Sequence, residues 1–308
     1  MTRLGGGRGP DRALVLDGGM GEELSRRGVD TRAGLWSAQA LIDVPDVVTA
    51  VHADYLAAGA DVITTNTYAT TARRLDAEAF EHLNRRACEI ARDAREAAGG
   101  GALIAGSLPP LFGSYRPDRV RPAEEIEPMY RAQAALLAPH VDLFLCETLS
   151  SAAEAQAAAR AATDTGLPVW VSWTVADDAS GTLRSGESIA EAVAALDGLP
   201  VEALLVNCSM PESIDAALTF LAREAGRPFG AYGNGFPAIA PDTDVADGRT
   251  VPEARADLDT VRYAEHALGW VERGASVVGG CCEIGPAHIA EIARRLRYGQ
   301  VKGALKKS

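Results

Sequence analysis

The 308-residue sequence has no apolar run of about eighteen residues, the length a membrane-spanning helix needs. Its start, Met1 to Asp11, is rich in glycine and arginine and lacks the apolar stretch of a secretory signal. Basic residues are scarce: 30 Lys and Arg stand against 42 Asp and Glu, a net charge of −12. That balance argues against nucleic acid or an anionic membrane as the main partner. The five cysteines are an odd number and are not spaced as a disulfide framework. A cytoplasmic chain acting on small molecules is therefore expected, and clustered cysteines in a reducing compartment point to metal binding or chemistry.

Apolar residues make up 47%, ordinary for a globular protein. Short β-type runs alternate with longer helical stretches. The β-type runs cover 13–17, 61–66, 102–108, 142–147, 168–174, 203–208, 228–234 and 275–282. Helical stretches follow near 45–58, 79–98, 123–138, 151–164, 188–196, 211–225, 258–273 and 286–297. Ser151 with Glu154 resembles a capping box, and Pro211 and Pro286 suit a first helical turn. The strands are apolar almost throughout, as in a parallel sheet buried on both faces. Eight such units predict a single-domain (β/α)₈ TIM barrel, with an open doubly wound sheet as the alternative. The expected division is a flexible segment over 1–12, a catalytic barrel over 13–298 and a tail over 299–308. Insertions at 18–44, 109–122 and 235–257 follow strands 1, 3 and 7, on the face where such barrels place active sites.

Polar residues gather at the strand ends: Asp17-Gly18-Gly19, Thr65-Asn66-Thr67, Gly106-Ser107, Glu147-Thr148, Asn207-Cys208 and Gly279-Gly280-Cys281-Cys282. Adjacent cysteines resist bridging each other. Strands 6 and 8 are separated by one strand, so Cys208 can reach Cys281 and Cys282 and form a three-sulfur metal site with one position free. A redox-active cysteine pair is the competing reading. Cys88 and Cys146 read as core residues. All five histidines, His52, His82, His140, His266 and His288, fall on helical stretches or their edges, so no strand end offers an imidazole base.

In this order, the Asp-Gly-Gly, Thr-Asn-Thr, Glu-Thr, Asn-Cys and Gly-Gly-Cys-Cys motifs resemble those of the zinc-dependent homocysteine S-methyltransferases, over roughly residues 13 to 297. The resemblance implies Zn²⁺ held by Cys208, Cys281 and Cys282. It implies a methyl transfer from a sulfonium donor, S-methylmethionine or S-adenosylmethionine, to the zinc-bound thiolate of homocysteine, giving methionine. Asp17 and Glu147 would bind the amino group, and backbone amides around Gly18 and Gly19 the carboxylate. Thr65, Asn66 and Asn207 are further substrate-binding candidates. Trp173, Tyr68, Phe112 and Tyr115 are aromatic candidates for the face of a cationic donor. Alternatives are another thiol or selenol acceptor, or a non-catalytic zinc- or redox-sensing barrel. The chain departs from the family pattern at Glu283-Ile284-Gly285 and at Gly233, two places expected to line the mouth. The sequence sets no oligomeric state.

Overall fold

The computed structural model describes residues 12–31, 35–240 and 252–305. Nearly all of the 1–12 segment, the end of the 299–308 tail and the 241–251 part of the third insertion lie outside the described residues. Eight strands form one parallel sheet: β1 (Leu14–Val15), β2 (Val62–Thr64), β3 (Leu103–Leu108), β4 (Leu143–Leu149), β5 (Val169–Trp173), β6 (Ala203–Asn207), β7 (Phe229–Gly233) and β8 (Val277–Gly280). Their order is β1-β8-β7-β6-β5-β4-β3-β2. The parallel bridge Leu16↔Val62 joins the two ends, supported by Asp17 N–H to Val62 C=O at 3.0 Å. The sheet closes on itself as a barrel.

Ten α-helices are described: α1 (Met20–Arg26), α2 (Ala40–Asp43), α3 (Pro45–Ala58), α4 (Ala77–Ala97), α5 (Ala123–Leu137), α6 (Ala152–Thr163), α7 (Ile189–Ala194), α8 (Pro211–Glu224), α9 (Thr260–Glu272) and α10 (Pro286–Leu305). α10 runs past 297, the end expected from sequence. α1 and α2 lie inside the first insertion. Side-chain caps start several helices: Asp76 accepts from Ala79 N–H and Asp259 from Arg262 N–H, both at 2.9 Å. Ser151 accepts from Glu154 N–H, but the Glu154 carboxylate reaches Ser150 N–H instead of its own cap. The complete capping box is Ser188 with Glu191. Among the described residues no helix is long and apolar enough to cross a membrane.

Strand alternation divides the core into two shells. Leu16, Val62, Ala105, Leu143, Leu145, Trp170, Ala203, Leu205 and Val277 fill the barrel interior. Val15, Ile63, Phe144, Cys146, Val171, Trp173, Val206 and Val278 face the helices. The same two-residue period places Ser107, Glu147, Ser172, Asn207 and Cys281 on the inward face, one layer above the apolar plug. The plug closes the barrel below, and the chemistry-bearing side chains collect above it.

Candidate active site and metal centre

Cys208 follows β6, and Cys281 and Cys282 follow β8, with β7 between them. Cys208 N–H donates to Tyr232 C=O and Cys281 N–H to Gly233 C=O, so β7 fixes both segments. The Cys208 and Cys282 sulfurs lie 3.6 Å apart and those of Cys281 and Cys282 4.0 Å apart. All three fall within 4.8 Å of one another. A tetrahedral ion with metal–sulfur bonds of about 2.3 Å separates its sulfurs by about 3.8 Å. The cluster therefore fits such an ion with little movement. Among the described residues no further Cys, His, Asp or Glu joins this group. Soft thiolate donors favour Zn, Cu(I) or iron–sulfur centres.

Glycines let the cysteine segment approach. A Cβ on Gly279 would meet Leu16 Cβ at 2.5 Å, and one on Gly280 would meet Ile284 Cγ2 at 2.2 Å. Four cavity residues hold left-handed backbone: Trp36 at φ 52°, Tyr115 at φ 62°, Thr148 at φ 61° and Cys208 at φ 47°. Such conformations cost about 1–3 kcal/mol each and persist where the surroundings over-determine them. Among the thiols, burial opposes ionisation of Cys208, but hydrogen bonds from Cys281, Cys282 and Tyr115 outweigh it and hold its pKa well below the ordinary value. The same hydrogen bonds to Cys208 push Cys281 and Cys282 up.

Across the cavity stand two buried carboxyls. Asp17 accepts from Thr64 N–H at 2.7 Å and from Thr64 Oγ1 at 3.0 Å. Glu147 accepts from Ser107 Oγ on one oxygen and from Tyr232 Oη, at 3.2 Å, on the other. Burial raises both to about 7, against the pull of these donors. Each also feels a neighbouring anion, Glu147 for Asp17 and Cys208 for Glu147. Among the described residues neither has an ion-pair partner.

The other candidates divide. Gly18 and Gly19 line the cavity with Asp17, Thr65, Asn66, Glu147 and the three cysteines. A Cβ on Gly18 would meet Ile284 C=O at 2.0 Å. The Gly19 amide donates to that same carbonyl at 3.1 Å, so it is engaged within the protein. Thr65 Oγ1 bonds to Thr67 Oγ1 and accepts from Ser107 N–H, and Asn66 Nδ2 donates to Ser37 C=O. Asn207 does not line the cavity. Its amide accepts from Thr148 N–H and Ser172 Oγ and donates to Thr148 Oγ1, which holds Thr148 in its unusual conformation.

Trp173 is fully buried on the helix side of β5, away from the cavity. Phe112 packs under Arg73 and Arg121. Tyr68 and Tyr115 do line the cavity, with Trp36 and Phe236. Glu283 does not: its carboxylate pairs with Arg26 at the outer edge. Ile284 is buried, and its carbonyl accepts from Gly19 N–H and Tyr55 Oη. This departure from the family pattern therefore sits behind the site.

Sequence reasoning missed Glu22, a buried cavity residue on α1. Burial raises its pKa to about 7, with repulsion from Glu283 and Cys208 adding to it. It also missed Tyr232, whose hydroxyl orients Glu147. The inward face of β7 was the available signal for Tyr232. For Glu22 there was none, because α1 is a short helix within an insertion.

Residues 14–296 match the homocysteine S-methyltransferase family. A homocysteine S-methyltransferase of Escherichia coli K12 is 33% identical, over 92% of this chain and 94% of its own. A selenocysteine methyltransferase of Astragalus bisulcatus is 32% identical, over 94% of each chain. The crystal structure of the metallated homocysteine methyltransferase MmuM from E. coli superposes with a TM-score of 0.78 at 32% identity, covering 93% of this chain and 97% of that one. With a closed eight-stranded barrel, three converging sulfurs and a match from its first strand to its last helix, the chain belongs to the homocysteine S-methyltransferase family.

Proposed function

We propose that this chain is a zinc-dependent methyltransferase that moves a methyl group from a sulfonium donor, S-methylmethionine or S-adenosylmethionine, to the thiol of homocysteine. The observation that carries the reading is the joining of two unlike groups in one cavity: three soft donors and, across from them, the unpaired carboxyls of Asp17 and Glu147. Cys208, Cys281 and Cys282 would hold the zinc ion, whose contribution is a place where the acceptor's sulfur stays a thiolate at neutral pH.

Asp17 and Glu147 receive the acceptor's ammonium group. An arriving cation lowers both carboxyl pKa values and draws the groups into their charged form. Thr64, Ser107 and Tyr232 keep the carboxylates aimed. With both ends of the acceptor fixed, its sulfur is oriented towards the donor's methyl carbon. Its lone pair forms the new S–C bond, and the breaking C–S pair remains on the donor's sulfur, which becomes neutral. Such a displacement depends on alignment, not on proton transfer. No histidine lines the cavity among the described residues. Trp36, Tyr68 and Phe236 give it apolar and aromatic walls suited to a sulfonium.

The test is methionine formation by the zinc-loaded protein from homocysteine and, separately, S-methylmethionine, S-adenosylmethionine, betaine and methylfolate. Methionine from a sulfonium donor is expected; none from any of the four, with zinc bound, would overturn the reading. The selenocysteine methyltransferase likeness favours one variation, a selenol or another thiol as acceptor. Cysteine and selenocysteine in the same assay decide it by relative kcat/KM.

A further inference from the structure

The three sulfurs are not equivalent. Tyr115, on the loop between β3 and α5, places its hydroxyl 2.8 Å from Cys208 Sγ. Its side chain is buried, and its backbone holds φ at 62°. The Arg184 guanidinium lies over the ring, 4.5 Å from its centroid. Arg184 is itself fixed: Nε donates to Thr174 Oγ1 at 2.9 Å, and Nη2 pairs with Asp177 at 2.8 Å. These two side chains are only 6% and 3% exposed. Asp177 also accepts from Met210 N–H and Ile239 N–H. Among the described residues Cys281 has nothing comparable, its nearest side-chain donor outside the cluster being Asn207 Nδ2 at 4.0 Å. Cys282 faces the Glu22 carboxyl.

A buried ion pair is a weak source of net stability, so Arg184 and Asp177 call for another role. The proposed reaction, on which this inference rests, creates a need for one. A methyl donor entering the cavity meets the acceptor's sulfur beside three protein sulfurs. Methylating a protein sulfur would form an S–CH₃ bond, leave the C–S electron pair on the donor, and turn a ligand into a neutral thioether.

We propose that Tyr115 caps the Cys208 sulfur against methylation, and that Arg184 is the positioning residue that holds the cap. A metal-bound thiolate can only accept, so the phenol donates. A hydrogen bond on a thiolate ties up the electron pair that would attack carbon. The phenol oxygen also occupies one direction of approach to the sulfur.

The test uses zinc-loaded protein without acceptor, treated with iodomethane, a small methyl donor independent of the natural donor's binding. Peptide mass spectrometry gives the distribution of methyl groups over Cys208, Cys281 and Cys282, and zinc is measured in the same samples. Tyr115→Phe is expected to raise the Cys208 share, its methylation relative to that of Cys281 increasing about five- to tenfold, the effect of one hydrogen bond. Arg184→Lys should raise it less. An unchanged Cys208 share in zinc-bearing Tyr115→Phe, or an equal rise at all three sulfurs, would overturn the cap alone. Wild-type protein that binds no zinc would overturn the metal reading and the cap with it. If Tyr115→Phe does not hold zinc, Arg184→Lys decides by the same readout, an unchanged share overturning the cap.

Discussion

The two sides of the cavity solve opposite problems with the same means. On the β6–β8 side, three thiols converge with few donors around them, and their mutual hydrogen bonds favour the charge on Cys208. On the β1–β4 side, two carboxyls are well supplied with donors, yet burial keeps their pKa near 7. Hydrogen bonds satisfy the carboxyl oxygens without neutralising a charge. The sulfur side needs a cation with soft affinity and the acid side a cation with N–H groups. In the proposed reaction, one amino acid carrying a thiol, with a metal ion, would supply both.

If this division is right, the sides fail differently. Cys281→Ala should show the largest effect, reducing zinc from about one per chain to near none and abolishing methyl transfer. Metal analysis of the purified variant checks it, and retained zinc with activity would show that the ligand set is wrong. Asp17→Asn should leave zinc intact and raise KM for homocysteine by roughly 10- to 100-fold, the loss of one hydrogen bond to a charged group. Steady-state kinetics beside metal content separates that outcome from general damage.

Asn207→Ala sharpens the comparison from behind the site. It removes the side chain that fixes Thr148, leaving buried polar groups unsatisfied, and should cost about 1–3 kcal/mol in denaturant unfolding. Activity should fall with zinc retained. The smallest effect is expected from an acid outside the cavity. Burial raises Glu154 from 4.5 to about 7, against donors including Ser150 N–H. The folded state therefore holds a proton that the unfolded state has released between these pH values. That contribution is fully present below about pH 4.5 and is lost as pH rises through about 7. Glu154→Gln should flatten this fall by a few degrees of Tm across the interval, with activity unchanged. A thermal melt series from pH 4.5 to 7.5 checks it.

Much of the molecule was legible because its pattern is set locally. Parallel strands buried on both faces read as apolar runs, and runs such as Leu143 to Leu145 end in the polar groups that the barrel collects. The cysteines stood out because an Asn-Cys and a Gly-Gly-Cys-Cys end on strands one apart. What stayed hidden depends on where backbone turns and side chains cross the mouth. Glu283 follows the cysteines directly, yet its positive φ and its pairing with Arg26 carry it outward. The Gly19 amide looked available but is engaged by Ile284. Asn207 points inward by alternation, and no local pattern reveals that Thr148 and Ser172 occupy its amide. Tyr115 meets Cys208 across 93 residues of sequence.

The central claim is that sulfurs and carboxyls grip one acceptor molecule. X-ray absorption at the zinc edge, on protein with and without homocysteine, tests it directly. The account predicts that homocysteine adds one sulfur at about 2.3 Å to the protein's three, and that Asp17→Asn weakens this change at limiting homocysteine. A zinc shell unchanged by saturating homocysteine would contradict it.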